Sequence, residues 1–345
     1  MLYKCINFII FCNFLCGSYV KFSKFYMTLL STLYCASISV FILYGMYSRP
    51  LINKFYIWSN NYCIIDTICF ILFTYINGTV YVSKFLRKIS EIDGKLQLER
   101  PKFSIKTIFF FFFIFVEKIY YTLEYYAHND VSTTLYKISI AAWLLYKYGS
   151  FFNSVLINIL FELTRQRMKG LRLTLEHNIN QDGVDKVEEI NKTLDIYKMI
   201  LDTNKSLGYI VKYYIIRDFF AAFYYVIITT IGISYDSKKR IRPHMAVDAV
   251  ANIIMTCLPC LILQGVINEQ ANIKNCLAQE FLKCPVGEGH SRTRDKIKDA
   301  IKYLEWNPFM FRILNIFSLN LTVPLYFINI CSTYVIVTVQ FAKLA

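Results

Sequence analysis

The final stretch of the chain constrains the fold more than any other feature. Residues 313–342 form a run of 30 with no charged side chain. As a helix, at about 1.5 Å per residue, such a run outreaches the roughly 30 Å hydrocarbon core of a bilayer. Six further runs are nearly as bare: 25–48, 55–82 with Asp66, 108–126 with Glu117, Lys118 and Glu124, 134–161 with Lys137 near its start and Lys147, 208–234 with Lys212, Arg217 and Asp218, and 245–267 with Asp248. The chain therefore reads as an all-α membrane protein with seven transmembrane helices. Its composition agrees, because 56% of residues are apolar and mean hydropathy is +0.39, both high for a soluble domain.

A net charge of +14 raises the question of nucleic acid. The Lys and Arg residues lie between the apolar runs, however, where they orient spans and form no binding stripe, so no nucleic-acid partner is expected. The segments on one side carry 26 of them and those on the other side carry 8, with the Lys238-Lys239-Arg240 cluster against the trend. Positive charge resists translocation, so an odd number of spans puts the N-terminus in the cytoplasm and the C-terminus outside.

Several apparent motifs carry no chemistry. Lys4 and the apolar stretch 5–16 outline a signal peptide. A full span follows directly after Lys21 and Lys24, so residues 1–24 are expected to form a cytoplasmic or interfacial segment. The 11 cysteines lie mostly in spans and imply no disulfide framework, although Cys63 and Cys331 could meet. Cys257 and Cys260 flank Pro259 and read as packed thiols at a kink, not as a redox pair. Sequons at Asn77, Asn191, Asn204 and Asn320 fall in spans or on the cytoplasmic side and read as chance matches. His290 with Asp295 lies in a solvated loop. The 4 histidines are scattered, and neither a metal site nor any cofactor is expected. No catalytic cluster marks an enzyme.

The connections between spans are structured. Val184, Val187, Ile190, Leu194, Tyr197 and Leu201 recur at helical spacing, and Ile297, Ala300, Ile301 and Leu304 repeat the pattern. Their apolar stripes must be covered by the same chain or by a second subunit. The resulting organisation is a six-helix ligand-sensing domain over 25–267 with a cytoplasmic helical extension at 164–207, a cytoplasmic anchor region at 268–312 and the seventh helix in 313–345.

Pro324 should divide the last span into two helical halves. Beyond it, Asn329, Thr333, Ile336 and Gln340 fall within about 60° of one another around the helix. Two readings stand for this polar face: hydrogen bonding to neighbouring helices, or the wall of a pore. The run from Thr333 and Tyr334 to Gln340 and Phe341 closely resembles the Thr-Tyr-(five mostly apolar)-Gln-Phe signature of insect gustatory receptors, and residues 311–320, with Phe317, Leu319 and Asn320, are similar to that family's approach to its last span. Thr338 departs from the apolar centre of the motif, and the chain is short for the family at its N-terminus.

The resemblance implies a ligand-gated, nonselective cation channel in the plasma membrane of a sensory neuron, at the dendrite or cell body, for small-molecule tastants. The channel would be a homo- or hetero-tetramer with related receptor subunits, each lining the pore with its seventh helix. Gln340 and Phe341 would form the gate, braced by Thr333 and Tyr334. Val335 stands where sugar-sensing members commonly have Glu, which favours a bitter or orphan receptor. The ligand pocket is expected in the outer halves of the other spans, from Glu117, Tyr121, Trp143, Tyr146, Tyr225 and Asp248, with Glu124, His128, Tyr224 and Asn252 nearby. Glu117 either pairs with Arg217 or meets the ligand. An odorant receptor-type channel is the main alternative. A G-protein-coupled receptor would need the opposite orientation, and a transporter would need a midplane repeat.

Overall fold

The computed structural model describes residues 2–22, 24–47, 61, 64–69, 72, 80–97, 111–120, 134–181, 185–235, 243–285, 291–313 and 316–344. Their helices are α1 (Leu2–Leu15), α2 (Phe25–Tyr47), α3 (Val80–Leu96), α4 (Thr134–Ile179), α5 (Lys186–Lys205), α6 (Gly208–Tyr235), α7 (Pro243–Lys283), α8 (Ser291–Trp306) and α9 (Thr322–Leu344). Residues 64–69 and 111–120 are also helical. A two-stranded antiparallel ladder, β1 (Arg312–Ile313) with β2 (Phe317–Ser318), pairs Arg312 with Ser318 and Ile313 with Phe317. Tyr121, Glu124, His128, Cys63, Val184, His290, Asn77 and the basic cluster at 238–242 lie outside the described residues, as do most of the expected second span and both ends of the third.

Local chemistry sets the helix ends. Asp185 caps α5 by accepting a 2.9 Å hydrogen bond from the Val187 amide, with Glu188 and Glu189 in the first turn and Lys205 in the last. Gly208 takes φ +64, a conformation glycine adopts without strain, and so lets the chain turn from α5 into α6. Pro308 stops α8 at Trp306. Asn320 accepts from the Thr322 amide at 3.0 Å and caps α9.

Pro324 is therefore only the third residue of α9, and the expected break into two halves does not occur. The first amides of a helix have no partner within it, so a proline in the opening turn removes a hydrogen bond that would not have formed. The residues before it form the ladder, not a helix.

The 46-residue α4 is the spine on which α1, α2, α3, α5 and α7 pack, while α9 lies against α6 and the edge of α7. The expected fourth span and the extension that follows it to Ile179 lie on one continuous helix. At Gly45 a side chain would overlap Ala142, so glycine is what allows α2 to lie close on α4. The largest apolar cluster fills the extension end, with Leu160, Phe161, Leu171, Ile200, Leu277 and Leu304 among its buried members.

The α5 stripe meets that cluster. Val187, Ile190 and Tyr197 are buried against α3, α4 and α8, and Leu194 and Leu201 are partly buried, so the same chain covers it. Among the described residues, four helices are long and apolar enough to cross a membrane: α2, the 208–231 part of α6, the 247–283 part of α7 and the 322–340 part of α9.

Candidate functional site

Charges buried in apolar surroundings must find partners or shift their protonation, and here they form two linked groups. Arg217 on α6 lies 3.3 Å from Asp66 and 3.9 Å from its neighbour Asp218, and donates to the Ser150 hydroxyl of α4. Tyr146 donates to Asp66, and Ser154 donates to Asp218. Of the two readings of Glu117, the pair with Arg217 is not formed, because Asp66 occupies the guanidinium. Glu117 instead faces Lys118 at 3.7 Å.

Asp248 on α7 organises the second group. Lys118 and Lys147 each bind one of its oxygens, Lys147 at 3.1 Å. The Lys147 ammonium also lies 3.9 Å from the Tyr225 ring centre and 5.0 Å from that of Trp143, a cation–π arrangement. Lys118 donates a second, 3.3 Å bond to the Asn252 side-chain oxygen. Of the pocket residues named from sequence, Glu117, Trp143, Tyr146, Tyr225 and Asp248 come together on this network. Asp66, Lys118 and Lys147 were legible only as isolated charges in apolar runs. That isolation was itself the signal, because a lone charge at such depth calls for a partner.

Between the two groups is a small cavity of about 50 Å³, well below the roughly 300–1,000 Å³ usual for small-ligand sites. Its wall includes Lys118, Tyr146, Lys147, Phe151, Tyr225 and Asn252.

The second element is α9. Phe327 and Cys331 are buried against Ala222, Val226 and Cys257, with Phe219 edge-on to Phe327 at 5.1 Å. Tyr334 meets Phe223 edge-on at 5.0 Å. Asn329, Thr333, Ile336 and Gln340 are all exposed. Stepping about 100° per residue, they point away from Pro324, Phe327 and Cys331, the buried face. Thr333 donates to the Asn329 carbonyl at 2.9 Å within the helix. Phe341 is the first residue of the last helical turn beyond Gln340.

The approach to α9 is fixed by side chains from the extension end. Tyr197 donates to the Asn307 carbonyl at 2.6 Å, and burial pushes its phenol above the ordinary value, which keeps the hydroxyl a donor. Gln270 accepts from the Phe309 amide at 2.8 Å and donates to the Leu304 carbonyl at 2.9 Å. Arg172 reaches Glu269 and Glu176, each at 2.7 Å, and these carboxylates hold its guanidinium above the ordinary value. Gln270 was not singled out from the sequence, since one amide in a polar helix gives no signal.

No family model and no curated protein sequence matches the chain significantly. Among solved structures, the insect olfactory receptor OR5 from Machilis hrabei superposes with a TM-score of 0.74 at 13% identity, covering 99% of this chain and 98% of that one. The same receptor in complex with eugenol gives a TM-score of 0.67 at the same identity and coverage. The two proteins share a fold.

Proposed function

We propose that the chain is a subunit of a ligand-gated, nonselective cation channel of the insect chemoreceptor kind, with seven spans, a cytoplasmic N-terminus and an extracellular C-terminus. One observation carries the reading. Only 17% of the 322–340 window of α9 is buried, against 50% for the corresponding window of α7, and the residues left open include the polar face of Asn329, Thr333 and Gln340. Amides and hydroxyls on a span need protein or water beside them. Four copies of α9 around an axis supply water on that face and lipid or neighbouring subunits elsewhere. Gln340 and Phe341 then form the gate, and the ligand site is expected near Glu117, Trp143, Tyr146, Tyr225 and Asp248, with Tyr121 as a further candidate outside the described residues.

The terminal Thr-Tyr-x5-Gln-Phe motif favours a gustatory receptor for bitter or orphan tastants, located in the plasma membrane of a sensory neuron. The likeness of fold to an olfactory receptor supports an odorant receptor-type channel as the second reading.

The test is whole-cell recording from cells expressing the chain, alone and with related subunits, during application of sugars, alkaloids and volatile odorants. Alkaloids should evoke cation currents, Phe341→Ala should raise the ligand-free leak, and Gln340→Ala should reduce the evoked current at unchanged surface expression. Currents to volatiles alone would favour the second reading. Loss of neither leak control nor response in the two variants would remove α9 from the gate.

A further inference from the structure

Helix α3 begins where the expected second span ends, and the 12 residues from Lys84 to Lys95 carry four cations: Lys84, Arg87, Lys88 and Lys95. Stepping about 100° per residue, these four fall within about 100° of one another. Val82, Phe85, Ile89, Ile92 and Leu96 share a different face and are buried, with α4 and α5 packed against the helix. The helix is therefore amphipathic, and its own chain covers only the apolar side. Lys84, Arg87 and Lys95 are exposed and Lys88 is half-buried.

A contact with α5 sets the depth of this cationic face. The Lys88 ammonium donates to the Asp202 carbonyl at 2.9 Å, close to Gly208, where α6 begins its apolar 208–231 segment. Lys84 and Arg87 lie on the span side of Lys88 and so stand level with the entry of α6 into the bilayer. Their long side chains can reach lipid phosphate from there.

Charge at this level is uncompensated. Four cations deeper in the cytoplasmic extension have carboxylate partners: Arg167 meets Asp93, Arg172 meets Glu269, Lys186 meets Glu280 and Lys274 meets Glu305, at 2.5–2.7 Å. Among the described residues no carboxylate pairs with Lys84, Arg87, Lys88 or Lys95, and Glu91 on their own face forms no ion pair with them. Asp93 on the same helix is turned onto Arg167, with both oxygens engaged. Clustered positive charge just inside a span attracts the anionic lipids of the cytoplasmic leaflet. Side chains three and four residues apart are neighbours on a helix, so Lys84, Arg87 and Lys88 can converge on one phosphate.

We propose that the first turns of α3 bind the headgroup of an anionic phospholipid, with Lys84, Arg87 and Lys88 on its phosphate and Lys95 adding to the attraction. Asp93 ties α3 to the fully buried Arg167 of α4, so the bound lipid holds the cytoplasmic extension to the membrane surface. The site needs the membrane reading above, with α3 on the cytoplasmic side, but not channel activity.

The full chain is placed in lipid nanodiscs holding equal amounts of phosphatidylglycerol and phosphatidylcholine, with a photoreactive diazirine on one lipid or the other. Adducts on residues 80–96 are counted by mass spectrometry. Phosphatidylglycerol should label them at least about fivefold more often than phosphatidylcholine, the weight of one cation at an anionic surface. In the triple variant Lys84→Gln, Arg87→Gln, Lys88→Gln the two lipids should label equally. The same loss of charge at exposed positions of α8, in Arg292→Gln, Lys298→Gln, Lys302→Gln, should leave the preference intact. Should the α3 variant fail to fold, salt decides on the wild type: at about 1 M the Debye length is about 3 Å, and the preference should fall towards parity. Equal labelling in the wild type, a preference that survives in the α3 variant or in high salt, its loss in the α8 variant, displacement by inorganic phosphate at constant ionic strength, or no labelling of 80–96 by either lipid would each overturn the proposal. The last result would mean that protein covers this face. Absence of any evoked current would instead count against the channel and leave the lipid site standing.

Discussion

Helices α5 and α9 are close in length, 20 and 23 residues, yet their surroundings are opposite. The polar, charge-rich α5 buries Val187, Ile190, Ile196, Tyr197 and Ile200 inside its own chain, under α3, α4 and α8. The far more apolar α9 leaves Leu325, Tyr326, Ile328, Ile330 and Ile336 exposed and packs on one side only. Apolarity alone therefore does not say where a helix finds its partners. In water a stripe must be covered by protein, and α5 is. In lipid there is no hydrophobic force between helices, so a span can remain largely bare until a lipid or another subunit meets it.

The contrast gives its largest expected effect at Phe161. This ring is fully buried and edge-on to Phe311 at 5.1 Å, so Phe161→Ala should cost about 3–5 kcal/mol. Ile336→Ala on the bare side of α9 should stay within about 0.5 kcal/mol. Thermal unfolding in mild detergent compares the two, and equal losses would break the contrast.

Comparable in size to the Phe161 effect is that of the buried charge network. Arg217→Met leaves Asp66 and Asp218 without their cation and should cost about 3–5 kcal/mol in its own right, with part regained in the Asp66→Asn, Arg217→Met double variant. If Asp66→Asn gave no recovery, the two residues would not be coupled as described.

A smaller effect is expected at Gln270. Replacing it with Leu frees the Phe309 amide and the Leu304 carbonyl, a loss of about 1–3 kcal/mol. Faster hydrogen exchange at 307–311, with α8 unchanged, would locate that loss at the approach to α9. The smallest perturbations are single cysteines on α9. If the proposed channel forms, those at 336 and 340 should react with a water-soluble thiol reagent in its open state, while one at 335, packed against the Ala222–Cys257 cluster, should remain protected. Equal reaction at 335 and 336 would mean that the exposed face is not the wetted one.

The sequence by itself determined what depends on neighbours along the chain. Runs without charge gave α2, α6, α7 and α9 to within a few residues at most ends, and helical spacing gave the stripes of α5 and α8. The candidate pocket was half legible, because Trp143, Tyr146, Tyr225 and Asp248 lie on the spans where polarity interrupts an apolar run. Tertiary structure alone decided which acid faces Arg217, since Asp66 and Glu117 are equivalent until the helices are placed side by side. It also decided that Pro324 opens a helix instead of breaking one, because the Asn320 cap and the ladder before it end the apolar run as a helix well short of Ile313. The same holds for the α5 stripe, whose cover comes from residues about a hundred positions away in α3 and α8. Periodicity and charge are properties of a few adjacent turns, whereas a salt bridge, a covered face or an oriented amide exists only once distant segments have met.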